Sequence, residues 1–202
     1  MTAQPGGPAI LIPAAGRSTR MRGRDKLLEP VRGRPLLADR AGVASRAAAS
    51  VVVALPPRPE APARWDALEG LTVTRIAVAS PAAGMAASLV AGIAALPASA
   101  TGVMILPADM PDITADDLTV LLDAFDGLHI LRGASDAGEP GHPVLFPAAD
   151  FPALAALTGD RGARALLAAD PGRVKRVPLP GRHALTDLDT PEDWAAWRVR
   201  QT

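Results

Sequence analysis

Short apolar runs recur along this chain, each parted from the next by a stretch with helical spacing. That alternation limits the fold more than any other feature. Residues 9–12 (AILI), 50–55 (SVVVAL), 71–78, 102–106, 128–132, 143–146 and 174–178 read as strands. Residues 36–49, 65–68, 83–96, 151–157 and 162–169 read as helices, with two more opened by Thr114 and Thr190. The strands are apolar throughout rather than alternating. This predicts an α/β fold, with a doubly wound, mostly parallel sheet carrying helices on both faces. Residues 1–202 read as a single domain, long enough for a real core and without an internal repeat. In such sheets a ligand lies beyond the carboxyl ends of the strands.

Composition narrows the partners. Apolar residues make up 49% of the chain, yet aromatics are only 3%, so the core must be built from Ala, Val, Leu and Ile. The formal net charge is zero, which argues against nucleic acid as a partner. Without cysteine there is no disulfide, thiolate metal site or thiol nucleophile. No charged residue stands between Arg75 and Asp109, but Pro81, Pro97 and Pro107 break that interval into pieces too short to span a bilayer. The opening MTAQPGGP lacks a basic segment leading into an apolar run, so no signal peptide is expected. The expectation is a cytoplasmic protein without a membrane partner.

Three stretches carry candidate chemistry. In residues 9–37 the first strand breaks into small residues, Ala14, Ala15 and Gly16, followed by Arg17, Arg20, Arg22, Arg24 and Lys26 against the single acid Asp25. Small residues let a ligand approach the backbone, and a strand-to-helix loop with cations suits phosphate. A solvated basic loop is the plainer alternative for the arginines alone. Lys26 stands out because the chain holds only two lysines among 21 basic residues. Lysine binds phosphate as a compact point charge that arginine does not copy. In the second stretch, Asp109 follows a strand directly between Pro107 and Pro111, as a turn residue or as a ligand. In the third, residues 186–193 (TDLDTPED), Thr190 with Pro191 makes a strong helix start. The first loop and Asp109 both follow strands, so both fall on one rim of the sheet.

The pattern A-A-G-x-S-x-R-M, then K-L-L, then G-x-P-L-L, closely resembles the signature of the cofactor nucleotidyltransferases, above all the molybdenum cofactor cytidylyltransferases. It is neither a Walker loop nor a dinucleotide fingerprint. The resemblance runs through nearly the whole chain in five separated motifs and implies the nucleotide-diphospho-sugar transferase type of α/β fold. It places Ala14, Ala15 and Gly16 at the base and ribose. It makes Arg17, Ser18, Arg20 and Lys26 part of the nucleotide site, with Arg20 and Lys26 on the phosphates. Asp109 matches the family's D-M-P acid and Asp189 the acid before Thr-Pro, which together would hold Mg²⁺. Arg20, Lys26 and Asp109 would be the catalytic set. The segment from Gly84 and Met85 to Ser88 and Gly92 resembles the cytidylyltransferase G-M-x-x-S-L-x-x-G, whose Ser lies at the nucleotide. Packing of a helix on the sheet is the alternative reading. Residues 138–146 (GEPGHPVLF) and 159–164 (GDRGAR) would form the acceptor side, with His142, Asp160 and Arg161.

The activity implied is Mg²⁺-dependent transfer of a nucleoside monophosphate from CTP to the phosphate of molybdopterin, releasing pyrophosphate. The partners implied are CTP or GTP, a molybdopterin-type phosphorylated cofactor, and an acceptor molybdoenzyme or its chaperone. One departure bears on the base. Five residues separate Arg20 from Lys26, one more than is usual in this branch, and Asp25 before the Lys is a habit of molybdopterin guanylyltransferases. A GTP-using guanylyltransferase, a cytidylyltransferase of a small phosphorylated polyol and a non-catalytic nucleotide-binding regulator therefore stay open.

Overall fold

The computed structural model describes residues 6–79, 84–159 and 162–201. Its strands are β1 (Ala9–Pro13), β2 (Pro30–Val31), β3 (Arg34–Pro35), β4 (Val51–Leu55), β5 (Thr74–Ala77), β6 (Gly102–Ile105), β7 (Ile130–Ala134), β8 (Pro140–Pro147) and β9 (Val174–Pro178). Its helices are α1 (Leu36–Ala47), α2 (Pro62–Asp66), α3 (Met85–Ala94), α4 (Ala115–Asp123), α5 (Phe151–Ala155), α6 (Arg164–Ala169) and α7 (Pro191–Arg200). Seven strands form one sheet in the order β5-β4-β1-β6-β8-β7-β9, and β2 and β3 make a small hairpin. Within the seven-stranded sheet β8 runs antiparallel to its neighbours, β6 and β7, and the other pairings are parallel. The sheet is thus mostly parallel, as the alternation predicts.

Helices cover both faces. Ile10, Ile12, Val53, Met104 and Leu145 pack with Leu37 of α1, Leu118 of α4 and Trp194 of α7. Leu11, Val52, Val103, Ile105 and Val144 turn the other way, toward Leu89 of α3, Leu154 of α5 and Leu167 of α6. Alternate side chains of each strand serve opposite cores, which is why the central strands are apolar without interruption. β1, β4 and β6 are buried along their whole length.

Differences from the expected boundaries have physical causes. The strand expected over 71–78 is only Thr74–Ala77, an edge strand with one neighbour and mostly exposed side chains. The one expected over 143–146 extends to Pro140–Pro147, because it pairs on both sides. The short helix expected over 65–68 begins earlier, with Pro62 in its first turn, where a missing N–H costs nothing. Thr114 and Thr190 both make reciprocal capping boxes, with Asp117 and Asp193. The uncharged interval supplies α3 and β6, and no helix among the described residues is long and apolar enough to cross a membrane.

Candidate active site

Two loops leaving the carboxyl ends of neighbouring strands meet at one cleft. The first follows β1 and the second follows β6, its parallel neighbour. Between them opens a cleft of about 290 Å³ lined by Ala14, Ala15, Gly16 and Arg17 on one side and Asp109 on the other. Lys26 closes one end, and Met85 and Ser88 of α3 form a wall. Gly16 has no atom within 4 Å of where a side chain would begin, so its backbone lies open to a ligand. Gly92 has the opposite role. A Cβ there would stand 2.3 Å from Leu11, so this glycine lets α3 press onto β1. The G-M-x-x-S-L-x-x-G segment therefore divides, with Ser88 at the cleft and Gly92 in the packing.

Lys26 is the hub. Its Nζ lies 2.6 Å from Asp109 Oδ2 and 2.6 Å from Asp189 Oδ1, in a slot where its side chain is 16% exposed. Arg20 reaches the other oxygen of Asp189 at 2.8 Å. Burial works against the charge on Lys26, but Asp109 and Asp189 outweigh it and hold its pKa above the ordinary lysine value. Asp189 comes to Asp109 because the Leu188 N–H donates to the Asp109 carbonyl at 3.1 Å. That contact also brings in Asp187, which the sequence reading left without a role. Burial first, then Asp109 and Asp189, raise its carboxyl above the usual range.

Each loop is held from beneath by its own buried arginine that sequence reasoning missed. Arg64 of α2 donates to the Ala14 carbonyl at 2.6 Å and to both oxygens of Asp25 at 2.6 and 2.9 Å. Asp25 in turn accepts from the Ser18 hydroxyl at 3.1 Å and the Leu27 N–H at 3.0 Å. The Ser18 hydroxyl also accepts from the Lys26 N–H at 3.3 Å, so Ser18 and Asp25 shape the loop that presents Lys26. Arg40 of α1 is fully buried and donates to the carbonyls of Met110, at 2.9 Å, and Ile113. Its carboxylate partner is Asp39, which Arg32 also contacts at 3.0 Å while donating to the Pro111 carbonyl. Burial opposes ionisation of Asp39, but Arg32 and Arg40 outweigh it and hold its carboxyl below the usual range. An arginine inside a core looks like any surface arginine in sequence. No local signal marks either one.

On the expected acceptor side, His142 of β8 keeps Nδ1 buried and without a hydrogen-bond partner among the described residues. Burial and then Arg132 push its imidazole down to about 4, against the pull of Asp109, so it is neutral at pH 7. Asp160 and Arg161 lie outside the described residues. His183, given no role from sequence, contacts the cap residue Asp117 at 2.8 Å.

Asp109 and Asp189 converge on one cation position. Among the described residues no group of three or more His, Cys, Asp or Glu can hold a metal ion by itself. That position is bridged by the Lys26 ammonium in this structure, and with Lys26 turned to the phosphates the two carboxylates would suit a hard divalent cation that draws its remaining oxygens from phosphate and water. The residues present therefore fit such an ion when a nucleotide shares in binding it.

Comparison with known proteins agrees with this geometry. The MobA-like NTP transferase domain matches residues 10–176. The bifunctional protein GlmU of Maricaulis maris is 35% identical over 142 residues, 68% of this chain and 30% of that protein. The purine catabolism protein PucB of Bacillus subtilis is 34% identical over 98 residues, 47% of this chain and 46% of that protein. The chain thus spans less than half the length of either curated relative. The crystal structure of Rv0371c from Mycobacterium tuberculosis superposes with a TM-score of 0.80 at 27% identity, covering 97% of this chain and 99% of that one. The same protein has also been solved complexed with manganese. The doubly wound sheet with its cleft on the carboxyl rim is the nucleotide-diphospho-sugar transferase architecture. By a match that runs from β1 into β9, this chain belongs to the MobA-like NTP transferase domain family.

Proposed function

We propose that this protein transfers a nucleoside monophosphate from CTP to the phosphate of a molybdopterin-type cofactor and releases pyrophosphate. The observation that carries the reading is Lys26 Nζ held 2.6 Å from both Asp109 and Asp189 at the end of the Ala14–Ala15–Gly16 cleft. In this reading the loop backbone takes the base and ribose, and Arg17, Arg20 and Lys26 take the triphosphate. An oxygen of the acceptor phosphate forms the new bond to the α-phosphorus, and the bond from that phosphorus to the bridging oxygen breaks. Pyrophosphate leaves with the electron pair. A phosphate monoester is largely dianionic at neutral pH, its second pKa being about 6, so no general base is needed. A neutral His142 agrees with this. Repulsion between anions is the obstacle, and fixed cations aimed at the developing charge answer it. A divalent ion, Mg²⁺ in this reading, would be held by Asp109 and Asp189 and would neutralise charge on the phosphates.

Two features support CTP over GTP. The Ala15 methyl narrows the cleft beside the base, and Ser88 lies buried on its α3 wall. Asp25, the residue that resembles the guanylyltransferases, is engaged by Arg64, Ser18 and the Leu27 N–H rather than by the cleft. A methyl group's worth of shape discriminates by only about 1–3 kcal/mol, so a modest preference is expected. The test is pyrophosphate release from each NTP with molybdopterin, and separately with methylerythritol phosphate. Equal or better use of GTP would sink the base assignment, and turnover only with the polyol phosphate would sink the acceptor.

A further inference from the structure

Beyond the cleft, three arginines gather on the same face of the sheet as α3. Arg132 of β7 and Arg176 of β9 are direct partners in the parallel ladder, so their side chains project side by side. Arg132 is also in register with Val144, whose side chain belongs to the core beneath α3, α5 and α6. Arg164 opens α6 on that face. The preceding turn lies against α3, since a Cβ at Gly162 would stand 3.3 Å from Met85 Cγ. Met85 itself lines the nucleotide cleft. Arg164 therefore lies toward the site, with Arg132 and Arg176 farther along the same face, and none of the three lines the cleft.

Their hydrogen bonds leave them underused. Arg132 donates to the carbonyls of Gly141 at 2.9 Å and Pro140 at 3.3 Å, and Arg176 donates to that of Gly138 at 3.2 Å. A guanidinium offers five N–H donors, so among the described residues most of theirs have no protein partner, and Arg164 and Arg176 face solvent. Among the described residues no carboxylate makes an ion pair with any of the three. Burial, then Arg176 and Arg164, push the Arg132 pKa down, the mark of cations crowded without a counterion. Like charges directly opposed in a sheet are destabilising. An arrangement that costs stability and leaves donors free is one that a bound oxyanion would complete.

We propose that Arg132, Arg164 and Arg176 seat a second oxyanionic group of the acceptor, distinct from the phosphate that attacks. The acceptor would thus carry at least two separated anionic groups, and binding the remote one orients the reacting one. This inference rests on the nucleotidyl-transfer reading, and the test separates the two.

The protein is saturated with a non-hydrolysable α,β-methylene CTP, and inorganic phosphate is then titrated by calorimetry. Acetate replaces phosphate in a second arm, to distinguish a phosphate seat from a carboxylate seat. The expected result is oxyanion binding that survives nucleotide saturation and weakens at least tenfold in Arg176→Gln and in Arg164→Gln. The same titrations on nucleotide-free Lys26→Gln, in which the cleft's own phosphate contact is removed, should show the same arginine dependence. Thermal unfolding gives a second readout. Arg176→Gln should raise the melting temperature without phosphate, by relieving repulsion, and shrink the rise that phosphate produces. Binding of neither anion to the nucleotide-loaded protein, or binding indifferent to both substitutions, overturns the seat. Failure of the CTP analogue to bind, with arginine-dependent phosphate binding intact, overturns the proposed function and leaves the seat standing.

Discussion

Arg64 offers the sharpest test of how the loop after β1 is held. Its side chain is 5% exposed and its partner Asp25 is 26% exposed, joined by bonds of 2.6 and 2.9 Å. Arg64→Met keeps most of the aliphatic stem but orphans the Ala14 carbonyl and leaves Asp25 without its cation. An unsatisfied buried acceptor costs about 1–3 kcal/mol. Breaking a fully buried ion pair costs about 3–5 kcal/mol. Here Asp25 is partly solvated and keeps the Ser18 hydroxyl and the Leu27 N–H, so its share falls toward the low end. A total of about 3 kcal/mol is expected, a melting-temperature drop of roughly 6–12 °C for a chain of this size. Asp25→Asn in the same background removes the orphaned charge, so the double variant should lose less than the sum of the singles, by about 1–3 kcal/mol. Thermal and urea unfolding of the four proteins measure this directly. A melting temperature within 2 °C of wild type, on the order of the loss from a surface substitution, together with strict additivity would refute the view that Arg64 holds the loop through Asp25.

Other expectations are more direct. Asp109→Asn and Asp189→Asn should each lose metal-dependent turnover by on the order of a hundredfold or more, with circular dichroism unchanged. Manganese binding in the presence of nucleotide, followed by electron paramagnetic resonance, should weaken in parallel, and full activity would remove that residue from the metal site. Lys26→Arg should lose at least about tenfold in kcat/KM despite keeping its charge, because a planar fork does not fit where one ammonium bridges two carboxylates at 2.6 Å. Wild-type kinetics there would mean the loop is merely basic. His142 is held neutral by burial and Arg132 down to about pH 4, whereas in the unfolded chain it protonates near 6.5. Stability should therefore fall as pH drops from about 6.5 toward 4, by at most about 3 kcal/mol from this group. His142→Gln should flatten that part of the curve in urea unfolding at pH 7, 6 and 5, and an unchanged slope would assign it to another group.

Much of this protein is written locally. Apolar runs bounded by Gly and Pro mark the strands, because a strand buried on both faces tolerates no polar side chain. Thr114 and Thr190 mark helix starts, because a hydroxyl and an acid three residues on satisfy N–H groups that a helix leaves free. The small residues after β1 and the acid after β6 fall on one rim, because both strands run the same way. What periodicity does not encode is which strands become neighbours. That order decides that β8 runs antiparallel within the large sheet and that β5 is an exposed edge. It also brings Lys26 to acids 83 and 163 residues away. The buried arginines are the hardest to read, since Arg40 and Arg64 have the same local chemistry as arginines left in water. Only the tertiary structure decides which guanidinium is enclosed, because enclosure depends on carbonyls and carboxylates that distant segments deliver.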